Sequence, residues 1–328
     1  MGDRAMERHN LLFTGGFDST FRLCQLSRME GVEVQPVYLC FSPFRPNEKK
    51  EIQSQDTILS MLRKRKDTKA VFLKPIRINE HDLPSDPKIE AAFEKWRNYK
   101  ETPGQIRCIS KLPLLFPHLE YCIEGATLET RKQGIKYGKT RRFLTAHGFR
   151  FIDHDDGSTS FKCSHADDGL ALLWGGFQFP IFQISETDML PFIHENHYED
   201  IFKNTWTCDF GGHEPCGVCH NCETKWASGL PDFFPKAAVR NHEIKKYLEL
   251  MNNPRFTPLD FTRYVYCGYH CYPSSHLYGV SEEKKQLIYQ LVINPMNQKK
   301  QAYFDSLIRD WDEKRCMFIA SKDKSQCG

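Results

Sequence analysis

Residues 10–20 read NLLFTGGFDST. An apolar run, Leu11 to Phe13, is followed by Thr14, the pair Gly15-Gly16, and then Asp18, Ser19 and Thr20 at the head of a helix-compatible stretch. Residues 10–14 therefore predict a buried strand, and residues 18–30 predict a helix closed by Gly31. Glycines at a strand-to-helix turn let a ligand approach the backbone, and the N–H groups of a helix start favour anionic oxygen. The turn is not a Walker A loop, which needs Gly-x4-Gly-Lys-Ser/Thr, nor the Gly-x-Gly-x-x-Gly of dinucleotide-binding folds. With no lysine in it, such a cradle works through amides and hydroxyls, with Mg²⁺ and basic groups from elsewhere. The plain alternative is a βα turn in which Asp18 or Ser19 only caps the helix.

Outward from this turn, strand and helix patterns alternate. Residues 32–41 predict a second strand, 48–66 a helix and 70–78 a third strand. Residues 88–100 predict a helix in a polar insertion, and 105–119 a helix interrupted by Pro113 and Pro117. Residues 120–129 predict a fourth strand ending at Gly125, and 148–163 a hairpin turning at Asp156-Gly157. Residues 179–185 predict another strand, followed by a helix whose start is capped by Ser185 and Asp188. This order is that of an α/β fold with a doubly wound parallel sheet, which places ligands at the carboxyl ends of its strands. Residues 231–328 lose the alternation and read as mainly helical.

A second stretch, CDFGGHEPCGVCHNC, spans residues 208–222. Cys208, Cys216, Cys219 and Cys222 have the spacing C-x7-C-x2-C-x2-C, in which successive turns aim thiolates at one centre. Four thiolates suit tetrahedral Zn²⁺ with no open position, hence a structural metal. An iron–sulfur cluster is the rival occupant, and His213 and His220 are alternative ligands. The other nine of the 13 cysteines show no disulfide framework. With 45 basic and 42 acidic residues, a net charge of +3 argues for neither nucleic acid nor an anionic membrane as partner. No apolar run is long enough to span a bilayer and the N-terminus has no signal-like core, so the expected location is cytoplasmic.

The order Gly-Gly-x-Asp-Ser after a first strand resembles the Ser-Gly-Gly-x-Asp-Ser signature of the PP-loop ATP pyrophosphatase superfamily, of the HUP-like, adenine nucleotide alpha hydrolase type, with Thr14 in place of the leading serine. The segment NTWTCDFGGHEPCGVCHNCETK (204–225) is similar to the zinc segment of the QueC, or 7-cyano-7-deazaguanine synthase, family. FPIFQISETDM (179–189) is similar to that family's Pro-Leu and Ser/Thr-Lys helix start, with Glu186 where a lysine is usual. The likeness runs over about residues 8–230. The middle lacks the family's Tyr-Pro-Asp-Cys-Arg and Pro-Gly-Arg-Asn elements, and the last hundred residues are additional.

The resemblance implies a PP-loop ATP-binding domain over 1–200, a zinc segment over 201–230 and a helical extension over 231–328. It implies ATP as cosubstrate with Mg²⁺, AMP-forming activation of a 7-deazaguanine carboxylate, and ammonia as acceptor. A protein amine, as in QueC-like proteins of antiphage defence, is the alternative acceptor, and a zinc-stabilised nucleotide-binding module without turnover is the non-enzymatic one. A second copy of the chain is a further candidate partner. The implied nucleotide-binding residues are Thr14, Gly15, Gly16, Asp18, Ser19 and Thr20, with Tyr38, Leu39 and Gly125 beside them, and the implied catalytic pair is Asp18 and Ser19. The basic run RKQGIKYGKTRR (131–142) reads either as a solvated face or as a loop bringing Arg131, Lys132 or Lys136 to phosphates. Cys267, His270, Cys271 and His276 form an irregular cluster that reads mainly as packing, and Asp167 and Asp168 are candidate contacts for a guanine-like ring.

Overall fold

The computed structural model describes residues 6–41, 47–126, 128–155, 158–163, 165–209, 214–227, 230–239 and 242. Of the helical extension expected over 231–328 only residues 231–239 and 242 are described, opening with a 3-10 turn at Pro231–Phe233. The Cys267/His270/Cys271/His276 cluster and the Asp156-Gly157 turn lie outside the described residues. The chain divides into two compact units, Met1–Thr207 with Ala227–Phe233, and Cys208–Trp226 with the chain from Phe234.

In the first unit, the elements in chain order are β1 (Glu7–Leu12), α1 (Phe17–Ser27), β2 (Val32–Cys40), α2 (Glu48–Lys64), β3 (Val71–Phe72), β4 (Ile76–Asn79), α3 (Pro87–Trp96), α4 (Ile106–Ile109), β5 (Leu119–Glu120), α5 (Leu128–Lys132), α6 (Lys139–Ala146), β6 (Arg150–Asp153), β7 (Thr159–Lys162), α7 (Asp168–Trp174), β8 (Phe177–Gln178), α8 (Glu186–Glu195) and α9 (Glu199–Phe202). Six strands form one sheet in the order β3-β2-β1-β5-β8, with β4 also on β2, and every pairing in it is parallel. The fold is thus α/β around a parallel sheet. A separate antiparallel hairpin, β6–β7, pairs Arg150 with Lys162 through Asp153 with Thr159.

Alternating side chains send the strands' apolar residues to opposite faces. Leu11 and Phe13, with Val32 and Val34, pack against Phe17 and Phe21 of α1, Ile58 and Leu62 of α2, and Met189 and Ile193 of α8. Leu12, Val37 and Leu39 pack on the other face with Ile89 and Trp96 of α3 and Leu170 and Leu173 of α7. Burial on both faces explains why Leu11–Phe13 and most of β2 read as apolar, whereas β1 begins earlier than the expected residue 10, at the polar, exposed Glu7 and Arg8. Deep in the sheet, the Glu120 carboxylate takes a bidentate pair from Arg22, at 2.7 and 2.9 Å, and a bond from His9 at 2.8 Å. Burial would raise its pKa, but Arg22 and His9 outweigh it and hold the group low.

Several expected elements change in detail, each for a local reason. The strand expected over 70–78 is interrupted at Pro75, which has no N–H to donate, and the Gln35 amide fills the break by bonding the Lys74 carbonyl at 2.9 Å. The strand expected over 179–185 does not form. Its place in the sheet goes to Phe177–Gln178, and the chain turns after Pro180, with Ile184 N–H on the Ile181 carbonyl at 2.9 Å. Pro113 and Pro117 reduce the helix expected over 105–119 to α4 and one 3-10 turn at Leu112–Leu114. The fourth strand pairs only at Leu119 and Glu120. The capping pair at Ser185 and Asp188 is present as a reciprocal capping box.

Asp167 is occupied structurally and does not await a ring. It caps α7 through the N–H groups of Gly169 at 2.9 Å and Leu170 at 3.3 Å, and it takes bonds from Lys95 and from the Trp96 indole at 3.0 Å. Lys95, helped by the indole and the cap, lowers its pKa to about 2. An aspartate depressed in this way stabilises the fold above its unfolded pKa, near 3.9, and that contribution is lost as pH falls through about 2. Asp167→Ala should therefore cost about 1–2 kcal/mol at neutral pH. Urea denaturation of both proteins should show the gap constant above pH 5 and shrinking through the acid range (about pH 4 to 2). A gap independent of pH would refute the assignment.

Candidate functional site

The strand order reverses at β1, since β2 leads away on one side and β5 and β8 on the other. In open parallel sheets the crevice outside the carboxyl ends of the strands at such a reversal is where ligands bind. The Gly15-Gly16 turn leaves β1 at this point. Gly15 has φ +73°, and a Cβ there would lie 2.9 Å from the Ser54 hydroxyl. Its carbonyl accepts from Trp206 N–H at 2.9 Å and from the Ser54 hydroxyl at 3.0 Å, and the same hydroxyl lies 2.6 Å from the Asn204 carbonyl. Gly16, not Asp18 or Ser19, is the N-cap of α1, and no side chain caps it. The Gly16 N–H instead donates to Thr14 Oγ1 at 3.2 Å, and the Ser19 hydroxyl lies 3.4 Å from both Thr14 Oγ1 and the Gly16 carbonyl.

The expected nucleotide residues do not all share one environment. Thr14, Gly16 and Asp18 are partly exposed, whereas Gly15 and Ser19 are buried and Thr20 is fully enclosed. Tyr38 and Leu39 are buried at the end of β2, which runs on to Cys40 after its ladder with β1 has ended at Leu12↔Val37. The Tyr38 hydroxyl donates to Glu51 at 2.5 Å, and Asn47 holds the second oxygen of that carboxylate at 3.0 Å. Gly125 owes its identity to packing. A Cβ would sit 2.8 Å from the Gln183 carbonyl, and its N–H bonds the Ile184 carbonyl at 2.7 Å.

That close approach brings Asp18 together with two acids, Glu124 and Glu186, that sequence reasoning did not place in the site. One carboxylate oxygen each from Asp18, Glu124 and Glu186 lies within 4.8 Å of the others. The three come from the first turn of α1, the segment after β5 and the first residue of α8. Two signals were available, since Glu124 adjoins Gly125 and Glu186 stands where the resemblance expects a lysine.

The basic run 131–142 is divided between the end of α5 and the start of α6. Arg131 is spent on Asp188 and on the Ala126 carbonyl. Arg141 is buried, 2.5 Å from Asp153 and stacked 3.8 Å over the Tyr137 ring, so this part of the run is no solvated face. Lys132, Lys136 and Lys139 are exposed.

In the second unit the four cysteines form one buried cluster, with one sulfur from each within 4.8 Å of the others. Backbone amides point at the sulfurs: Cys219 N–H lies 3.2 Å from Cys216 Sγ, and Cys216 and Cys222 N–H lie 3.4 Å from the sulfurs of Cys208 and Cys219. Gly217, at φ +77°, makes the knuckle, where a Cβ would collide with the Ala238 carbonyl. The thiols of Cys216 and of Cys208 push the pKa values of Cys208 and Cys222, respectively, well up, while Cys219, hydrogen-bonded with Cys208, is drawn down to about 7. Four thiolates so close need a cation among them, and this cluster could hold a metal ion. His220 is exposed and outside the cluster; His213 lies outside the described residues. Burial and the neighbouring Cys219 raise the Asp209 carboxyl to about 6.

No protein-family model matches the chain, and no curated protein matches it. Among the described residues no helix is long and apolar enough to cross a membrane.

Gly15→Ala would force a side chain into a left-handed backbone and against Ser54. The variant should lose about 1–3 kcal/mol of stability, read as a lower Tm. Ser54→Ala in the same background should not restore it, because the Glu51 carbonyl and the Cβ of residue 54, each 3.1 Å from the added methyl, remain and the hydroxyl's bond to the Gly15 carbonyl is lost.

Proposed function

We infer that this chain is a QueC-like enzyme that uses ATP to activate a 7-deazaguanine carboxylate, releasing AMP and pyrophosphate. The observation that carries the reading is the Gly15-Gly16 turn at the reversal of strand order, with no side chain capping the helix that follows. Such a helix start offers backbone N–H groups and a positive dipole to phosphate oxygens. The partly exposed Thr14 hydroxyl and Gly16 backbone line the same turn.

A carboxylate is inert to ammonia because oxide leaves poorly. In the proposed reaction a carboxylate oxygen attacks the α-phosphorus, the bond from that phosphorus to the bridging oxygen breaks, and pyrophosphate departs. The resulting acyl adenylate is a mixed anhydride. Ammonia attacks its carbonyl carbon, AMP leaves and an amide forms. A second ATP activates the amide oxygen, whose departure with AMP gives the nitrile, 7-cyano-7-deazaguanine. The protein's share is to align the oxygen with the α-phosphorus and to stabilise phosphate charge through the turn and the Mg²⁺ that accompanies the nucleotide. Asp18 and Ser19 are assigned to this step, Asp18 towards the cation and Ser19 as a hydroxyl that orders Thr14 and Gly16 through the contacts at 3.4 Å. A protein amine in place of ammonia is the second reading, which the missing middle elements and the additional C-terminal chain support.

The test is mass spectrometry of the protein with ATP, Mg²⁺ and 7-carboxy-7-deazaguanine, with and without ammonium. AMP together with the amide or nitrile is the expected outcome, with AMP formation at least about 100-fold lower in Asp18→Ala. AMP with a mass added to a protein would select the amine acceptor, and no AMP would refute the activation.

Zinc is the assigned occupant of the cysteine cluster. Tetrahedral Zn–S bonds of about 2.3 Å place sulfurs about 3.8 Å apart, and Cys216 and Cys222 lie 3.9 Å apart. The metal would be structural, supplying folding free energy and no open coordination position. Elemental analysis should find one zinc per chain in the purified protein. Cys216→Ala should lose it and unfold at lower temperature, and iron in place of zinc would overturn the assignment.

A further inference from the structure

Glu186 is 5 % exposed, and its Oε2 is enclosed by the protein with no hydrogen-bond partner. A buried carboxylate oxygen in that condition is costly unless it is neutralised by a proton or a cation. The nearby capping box does not supply one. The Ser185 N–H and hydroxyl are both directed to Asp188, and the guanidinium of Arg131 is held by that same aspartate. Around Glu186 stand two more acids, Asp18 and Glu124, each with an oxygen within 4.8 Å of the others.

We propose that Asp18, Glu124 and Glu186 form a binding site for one hard divalent cation, of the Mg²⁺ or Mn²⁺ type, which fills in the absence of nucleotide. The donor set is oxygen alone, with neither sulfur nor imidazole, and this selects hard cations over zinc or copper. Three carboxylates bring three formal charges, enough to bind a dication without phosphate oxygens. The ligands come from three separate segments, yet their spacing is set by rigid backbone packing. Gly125 N–H is fixed to the Ile184 carbonyl at 2.7 Å, and Gly138 presses on the other side, where a Cβ would lie 3.0 Å from the Glu124 carbonyl and 2.9 Å from that of Gly125. Glu186 itself is held as the first residue of a capped helix. The site is therefore built before the cation arrives, which lowers the cost of binding. This inference does not depend on ATP chemistry, because it concerns the nucleotide-free protein.

The test is an Mn²⁺ titration of the full-length, zinc-loaded protein without nucleotide, followed by electron paramagnetic resonance of free Mn²⁺. Thiolate sites are poor competitors for Mn²⁺. One Mn²⁺ per chain, displaced by Mg²⁺, is expected. Glu186→Gln, nearly the same shape without the charge, should weaken binding by about tenfold or more, while Glu195→Gln at the exposed end of α8 should leave it unchanged. A thermal melt separates misfolding from loss of a ligand. Without metal, Glu186→Gln should melt no lower than the parent protein, because it removes a buried charge, and it should lose the rise in Tm that Mn²⁺ gives the parent. Absence of Mn²⁺ binding at millimolar concentration would overturn the proposal. Equal binding by Glu186→Gln and the parent would overturn it as well.

Discussion

The carbonyl of Gly15 accepts two hydrogen bonds, from the Trp206 amide at 2.9 Å and the Ser54 hydroxyl at 3.0 Å. Through them the exit of β1 is tied to α2 and to the segment that follows α9. The left-handed backbone at Gly15 turns the carbonyl towards both donors, and the absence of a Cβ leaves room for Ser54. The direction of α1, the uncapped helix start at Gly16 and the position of Asp18 all follow from this one turn. A β1 that ended one residue earlier or later would present its next residues to the other face of the sheet.

The chemistry of the first unit turns on charge. A helix start without a side-chain cap attracts anions, while the carboxylates of Asp18, Glu124 and Glu186 repel them. Both features lie at the same reversal of strand order, where the proposed cation would stand between them. Elsewhere in this unit buried acids are matched by the protein itself. Glu120 has Arg22 and His9, and Glu51 has Tyr38 and Asn47. The enclosed oxygen of Glu186 has no such match, which distinguishes a structural acid from one left for a ligand.

Much of the fold was legible in the residues because its causes are local. The apolar residues Leu11–Phe13 and those of β2, the periodic face of α2 and the Ser185–Asp188 capping box are each set by neighbours a few positions away, whereas α1 ends at Ser27 with Arg28 as its C-cap and not at Gly31. The misjudged elements depend on what lies alongside. Leu119–Glu120 and Phe177–Gln178 are short strands that count only because β1 and β5 are there to pair with them. The apolar run 179–185 has a strand's composition, but Pro180 and the Ile181–Ile184 turn fold it back on itself. Asp167 and Arg131 looked available in sequence, and only their distant partners, Lys95 and Asp188, show that they are engaged.

By itself, the sequence determined the α/β alternation, the glycine turn after the first strand and the four-cysteine cluster. In each case the deciding residues lie within about one turn or one loop of each other, so spacing alone defines their geometry. Tertiary structure decided the carboxylate site. Asp18, Glu124 and Glu186 are separated by more than a hundred and by sixty-two positions, and no local pattern relates them. They meet because parallel pairing sets the ends of β1, β5 and β8 side by side, and because Gly125 lets one backbone pass against another with no side chain between them.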